Sequence, residues 1–178
     1  MNLSEQQLSS EAIFDGNILR VSVDTVRLPD GQRATREVVR HPGAVAVLAV
    51  TEQDEAVLVE QYRYPCARTL LEIPAGKLDV AGEEPAACAL RELAEETPYT
   101  AQSVELLYRF YTSAGFSDEK MYLFLAKDIY ENSTLHADSD EFLHVVKLPR
   151  AHVQAALQSG QIIDAKTIIA LQYWLAHP

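Results

Sequence analysis

Three carboxylates and a guanidinium fall within the six residues Arg91-Glu92-Leu93-Ala94-Glu95-Glu96. At about 100° per residue, a helix here gathers Ala86, Ala87, Leu90, Leu93 and Ala94 on one face and projects Glu92, Glu95 and Glu96 from the other. Like charges at i, i+3 and i+4 cost roughly 0.2–0.5 kcal/mol per pair on an exposed helix. A divalent cation reverses that sign, because hard ions take several carboxylate oxygens at about 2.0–2.6 Å. A solvated acidic face with an Arg91–Glu95 ion pair has the same pattern, so local spacing leaves both readings open. Cys88, one turn before Glu92, reads as a small packing residue, since thiolate is a poor match for magnesium.

The elements that must carry this helix can be read on either side of it. Residues 18–28 alternate, with Leu19, Val21 and Val23 on one side and Arg20, Ser22 and Asp24 on the other. Pro29-Asp30-Gly31 is a turn, because Pro presets φ and Gly accepts positive φ. Residues 33–40 return as a more polar strand before His41-Pro42-Gly43 breaks the chain. Residues 44–50 and 56–61, joined by the polar turn 51–55, have the small and branched apolar composition of central strands. A short strand at 70–73 ends at Pro74-Ala75-Gly76, and the helix spans 85 to about 97, with Pro85 in its first turn. Strands follow at 104–111, 121–126 and 142–148, with a polar loop at 132–140, and helices at 150–159 and 164–176 close the chain. Helices flanking a mixed sheet give a layered α/β or α+β fold.

The 178 residues are 48% hydrophobic and 23% charged, enough for a core without staples and ordinary for a soluble domain. Fifteen basic against twenty-six acidic side chains give a net charge of −11. That field repels phosphate backbones and anionic lipid, so no nucleic-acid or membrane partner is expected. An anionic small molecule can still bind if metal ions lie between the two sets of negative charge. Two cysteines without CxxC spacing, and an N-terminus lacking the regions of a signal peptide, point to a cytoplasmic location. The five histidines show no metal-ligand spacing.

From Gly76 the chain reads six residues, Glu83, seven residues, then Arg91-Glu92-Leu93-Ala94-Glu95-Glu96-Thr97-Pro98-Tyr99. This closely resembles the Nudix box, G-x5-E-x7-R-E-U-x-E-E-x-G-U with U a large apolar residue. Around it, Val57-Leu58-Val59-Glu60-Gln61-Tyr62-Arg63, Leu71-Glu72-Ile73-Pro74-Ala75-Gly76-Lys77 and residues 111–119 resemble the ADP-ribose pyrophosphatase branch of that family. Three positions depart from the pattern. One extra residue precedes Glu83, in a stretch that reads as loop and can absorb it. Pro98 replaces a helix-capping glycine, so the helix should end sharply by Glu96 or Thr97. Ala114 stands where many members of the branch carry proline.

The resemblance implies a Nudix α/β/α sandwich with a mixed sheet at 43–178 and an N-terminal antiparallel β appendage at 1–42. It implies two or three magnesium ions, with manganese as the alternative, held by Glu92, Glu96 and the carbonyl of Ala75, with Glu95 a further ligand or support. Glu83 and Arg91 match a structural ion pair. Glu141, with Asp138 and Asp140 in reserve, matches the late acidic loop that supplies the general base, and Glu95 is the other catalytic candidate. Arg63 matches a phosphate-binding arginine and Glu72 a ribose or adenine contact. Arg36 and Glu37 match residues that reach the nucleobase, and Ser113 and Gly115 would line the ribose end. The implied partner is a nucleoside diphosphate sugar, and the implied assembly a homodimer with exchanged N-terminal strands. The expected reaction is hydrolysis of ADP-ribose to AMP and ribose 5-phosphate. The alternatives are another nucleoside diphosphate sugar such as GDP-mannose, or a non-catalytic nucleotide-binding module, which would be expected to lose the helical carboxylates.

Overall fold

A computed structural model describes residues 2–131 and 142–177. Its contacts divide the chain into two units, residues up to 43 together with 110–120, and residues 44–109 together with 121 onwards.

The first unit is a meander of β1 (Gln6–Asp15), β2 (Arg20–Arg27) and β3 (Arg33–Arg40), antiparallel in the order β1-β2-β3. Gly31 turns β2 into β3 with φ of 89°, a conformation glycine adopts without a Cβ clash. β1 has no apolar alternation and is exposed along almost its whole length. Its ladder to β2 slips between Gln7 and Ser9 and again between Ala12 and Phe14. Backbone pairing holds this strand, which explains why composition gave no separate signal for it. At the centre of β2, buried Asp24 accepts hydrogen bonds from Ser10 Oγ (2.6 Å), Ser22 Oγ (2.9 Å) and Gln7 Nε2 (3.2 Å). Residues 110–120 join this unit through β3. Val39 N donates to Phe116 O (2.8 Å), and Arg40 Nη1 donates to Asp118 Oδ2 (3.0 Å).

The second unit is the mixed α/β layer expected from the sequence. Its strands are β4 (Ala44–Val50), β5 (Glu55–Arg63), β6 (Arg68–Glu72), β7 (Ala75–Lys77), β9 (Glu105–Tyr111), β10 (Lys120–Ala126) and β12 (Leu143–Pro149). They form a seven-stranded sheet ordered β12-β5-β4-β10-β9, with β6 paired to β5 and β7 to β4. β4 and β10 are parallel, and β4 is buried along all but its last residue. That is why it reads as an unbroken apolar run rather than an alternating one. A separate two-stranded ladder joins β8 (Tyr99–Thr100) and β11 (Tyr130–Glu131).

Helix α1 (Pro85–Glu96) covers one face of the sheet, where Val45, Val47, Ala49, Val57 and Phe124 pack with Cys88, Ala89 and Leu93. Its buried stripe is Cys88, Ala89, Leu93, Ala94 and Glu96, whereas Ala86 and Ala87 are exposed. The expected apolar face is therefore rotated. Two small alanines do not fix a helix's orientation against the pull of Leu93 and the sheet. Ala46 and Leu48 point the other way and are equally buried, where α3 (Ala165–Ala176) contacts β4. α2 (Arg150–Gln158) packs on β12 and α3, and the Arg150 guanidinium lies 4.3 Å over the Trp174 ring. Among the described residues no helix is long and apolar enough to cross a membrane.

Candidate active site

Helix α1 sets the chemistry because its last two turns carry the acidic residues and Arg91 lies among them. Arg91 Nε and Nη2 each donate to Glu83 at 3.0 Å, and Nη1 donates to Glu92 Oε1 and Glu95 Oε2, both at 2.8 Å. One guanidinium thus serves three carboxylates. Its hydrogen bonds to Glu83 lead the effects that raise its pKa, and the same bonds hold the Glu83 carboxyl below the usual range. The extra loop residue before Glu83 is taken up in a turn. Glu83 N donates to Val80 O (3.1 Å), and Gly82 adopts φ of 80° with open space around it.

The facing strand is β7. Ala75 N donates to Glu96 Oε2 at 2.9 Å, and Glu96 is only 5% exposed. At the next residue, a Cβ on Gly76 would lie 1.8 Å from the Glu92 carboxyl carbon. With any other residue the Glu92 carboxylate would have to leave this position. Glu92 and Glu96, one turn apart, are therefore both directed at the backbone of Ala75–Gly76. Cys88 Sγ ties the same helix to β7 through Lys77 O (3.4 Å), and burial pushes its thiol up to about 12, away from thiolate chemistry.

The helix ends at Glu96 without a left-handed cap. Thr97 is extended, at φ −138° and ψ 164°, and Pro98 follows at no steric cost. Thr97 Oγ1 donates to Leu93 O (2.6 Å) and accepts from Tyr99 N (3.1 Å). The threonine hydroxyl does the work of the missing glycine cap, so the last turn and Glu96 keep their place.

The donor set available to a cation, Glu92, Glu95, Glu96 and the Ala75 carbonyl, consists of hard oxygens and suits magnesium. Among the described residues no three acidic, histidine or cysteine side chains converge closely enough to hold an ion as they stand. Glu92 and Glu95 lean on Arg91, and Glu96 on the Ala75 amide. The set fits a hard cation in its chemistry and in the cradle at Gly76.

A second polar cluster lies at the ends of β5 and β6. Arg63 Nε and Nη2 donate to the two oxygens of Glu72 at 2.7 and 2.9 Å. Glu72 is buried to 1% exposure. Burial would raise its pKa, but Arg63 and Lys166 outweigh that effect and hold it below the usual range. Lys166 was not foreseen. A lone lysine in the first turn of an amphipathic helix looks like any solvent-facing charge, and no local pattern could have singled it out.

Arg36, Glu37, Ser113 and Gly115 belong to the first unit. Arg36 donates to Glu5 at 2.9 and 2.5 Å, Glu37 is exposed, and the Ser113 carbonyl caps a turn through Phe116 N (3.1 Å) and Ser117 N (2.9 Å). A Cβ on Gly115 would meet open space. Glu141, Asp138 and Asp140 lie outside the described residues.

Fold and sequence converge with known proteins. Residues 40–170 match the NUDIX domain, and residues 5–39 match the nucleoside diphosphate sugar hydrolase N-terminal domain. The chain belongs to the NUDIX hydrolase family. It is 45% identical over 170 residues to the methanol dehydrogenase activator of Bacillus methanolicus, covering 95% of this chain and 91% of that one. It is 44% identical over 173 residues to the ADP-ribose pyrophosphatase of Bacillus subtilis (strain 168), covering 97% and 93%. A solved structure described as the crystal structure of ADP compounds hydrolase has the same fold, with a TM-score of 0.85 over 99% of this chain and 97% of that one at 24% identity.

Proposed function

We propose that this chain is a magnesium-dependent pyrophosphohydrolase that cleaves ADP-ribose to AMP and ribose 5-phosphate. The observation that carries the reading is the joint direction of Glu92 and Glu96 onto the Ala75–Gly76 backbone. The Bacillus subtilis relative supports the substrate. Glu92, Glu96 and the Ala75 carbonyl would hold the metal, with Glu95 beside them as a further ligand or support. Bound divalent ions supply a lowered pKa for water and neutralise the charge of the pyrophosphate.

The other steps fall to the protein. Arg91, anchored by Glu83, holds Glu92 and Glu95 on one nitrogen and offsets their repulsion. Arg63 offers its guanidinium to a phosphate oxygen, a match of planar fork to anion that lysine would not provide. Glu141 takes a proton from the attacking water. The water oxygen bonds to one phosphorus, the bridging P–O bond breaks, and the leaving oxygen stays with the other phosphate. A homodimer with exchanged N-terminal strands would bring Arg36 and Glu37 to the nucleobase of the partner's substrate. The homodimer is read from family resemblance.

Product analysis tests the whole reading. ADP-ribose and GDP-mannose are incubated with the protein and magnesium, beside a chelator control. Magnesium-dependent AMP with little GMP is expected. Products unaffected by chelator would overturn the metal assignment, and preference for GDP-mannose would move the substrate. The Bacillus methanolicus relative favours a second reading, action on a partner dehydrogenase. Adding the chain to a methanol dehydrogenase and following its turnover, with wild type and an Glu96→Gln variant, tests that role.

A further inference from the structure

The cluster around Glu72 reaches further than an arginine and its counter-ion. Glu72 closes β6 with its side chain 2% exposed, and both its oxygens are taken by Arg63. Lys166 Nζ donates to the same Oε2 that Arg63 Nη2 uses. Lys166 is itself held, lying 3.2 Å from Asp164 Oδ1 with only 11% of its side chain exposed. Asp164 in turn caps α3, its Oδ2 accepting from Thr167 N (3.0 Å) and Thr167 Oγ1 (2.6 Å). Thr167 Oγ1 then accepts from Ile73 N at 2.9 Å. The first turn of α3 therefore grips two consecutive residues, Glu72 and Ile73, three and two positions before Ala75.

The charges balance, with Arg63 and Lys166 against Glu72 and Asp164. A buried balanced cluster adds little stability over an apolar one of the same volume, so its effect lies in geometry. Arg63 shows what that geometry serves. Its Nε and Nη2 are engaged by Glu72, and 38% of the side chain is exposed. One edge of the guanidinium is clamped, and part of the side chain is open to solvent. A carboxylate held at only one end could swing, and the guanidinium would swing with it. A second cation on the shared oxygen removes that freedom, in the way that outer partners orient a ligand that touches the substrate.

We propose that Lys166 is a positioning residue: by sharing Glu72 with Arg63 and anchoring to the Asp164 cap of α3, it fixes the direction of the Arg63 guanidinium toward the phosphate of a nucleoside diphosphate sugar. This rests on the functional reading above for the identity of the ligand, but the structural tie can be tested without it.

Two readouts are made on Lys166→Met, on Lys166→Gln as a milder replacement should the first fold poorly, and on Lys166→Arg. The first is steady-state hydrolysis of ADP-ribose at saturating magnesium. kcat/KM should fall about tenfold, most of it in KM, with the magnesium requirement unchanged and with recovery in Lys166→Arg. In an Arg63→Gln background the Lys166 substitution should add nothing, since the residues act in series. The second readout is hydrogen exchange of the Arg63 Nε–Hε group by nitrogen-15 NMR in the ligand-free protein. It should quicken about tenfold when Lys166 is replaced by Met or Gln, the mark of a guanidinium no longer clamped.

Lower melting temperature with unchanged KM and unchanged Arg63 exchange would overturn the proposal and leave Lys166 a purely structural charge. Additive effects with Arg63→Gln would overturn it too. If the wild type hydrolyses no nucleoside diphosphate sugar, the functional reading fails, while the exchange experiment still decides whether Lys166 orients Arg63.

Discussion

Two charged clusters sit in one unit of this molecule and are built in opposite senses. At Arg91 a single cation serves three carboxylates, and the side chains retain between 13% and 28% exposure. At Glu72 a single carboxylate, 2% exposed, is shared by two cations. The first cluster has surplus negative charge within reach of solvent, so a divalent ion entering it relieves repulsion. The second is neutral with Asp164 included and its carboxylate is buried, so nothing entering it is needed to make it stable. Surplus charge marks where an ion can be taken up, and balanced burial marks where a side chain is held in one orientation. Substitutions should therefore strike turnover hardest at the first cluster, and stability and the orientation of Arg63 at the second.

The largest effect is expected from Glu96→Gln. It keeps the side-chain volume and the acceptor for Ala75 N, but loses a metal ligand, so turnover should fall by roughly 10³ while the melting temperature stays within a few degrees. A comparable loss of stability would break the contrast between the clusters. Gly76→Ala comes next. Its Cβ would meet the end of the Glu92 side chain at 1.8 Å, and that flexible end can move aside. Activity should fall by about 10² through misplacement of Glu92, with little change in denaturant midpoint.

At the second cluster the order of effects reverses. Glu72→Gln leaves two cations facing one amide and should cost about 3 kcal/mol in chemical denaturation. Glu83→Gln, where Arg91 keeps two other carboxylates, should cost only about 1 kcal/mol. Equal costs at the two sites would mean that burial does not separate them. The mildest test is acidification. The folded-state pKa of Glu72 lies below its unfolded value, so its contribution is present above the unfolded carboxylate range and is lost as pH falls through the folded value. The stability gap between wild type and Glu72→Gln should therefore close as pH is lowered below about 4.

Much of this was legible in residue order, because it depends on neighbours within a turn or two. The apolar run of β4 declared a strand covered on both faces. Pro85 and Pro98 bracketed α1, and the i, i+3, i+4 spacing put Glu92, Glu95 and Glu96 where one ion could draw on them. Thr97 could have been read as a side-chain cap once Pro98 excluded a left-handed residue. The rotation of α1 was misjudged because alanines carry too little apolar area to choose a face. The N-terminal antiparallel appendage was legible as a whole, but the bounds of β1 were not, because its exposed residues show no apolar alternation.

By itself the sequence determined the helix that bears the carboxylates and their register, which follow from periodicity, from Pro85 in the first turn and from Pro98 just past the end. It also determined the family, which follows from the resemblance of residues 76–99 to the Nudix box. Tertiary structure alone decided which backbone those carboxylates meet. Glu96 finds Ala75 across 21 positions, and Glu72 finds Lys166 across 94. Such partners are chosen by the packing of α1 and α3 on the sheet. A buried carboxylate must be satisfied by whatever donor the packed elements bring within reach, and nothing in the spacing of residues along the chain records which donor that will be.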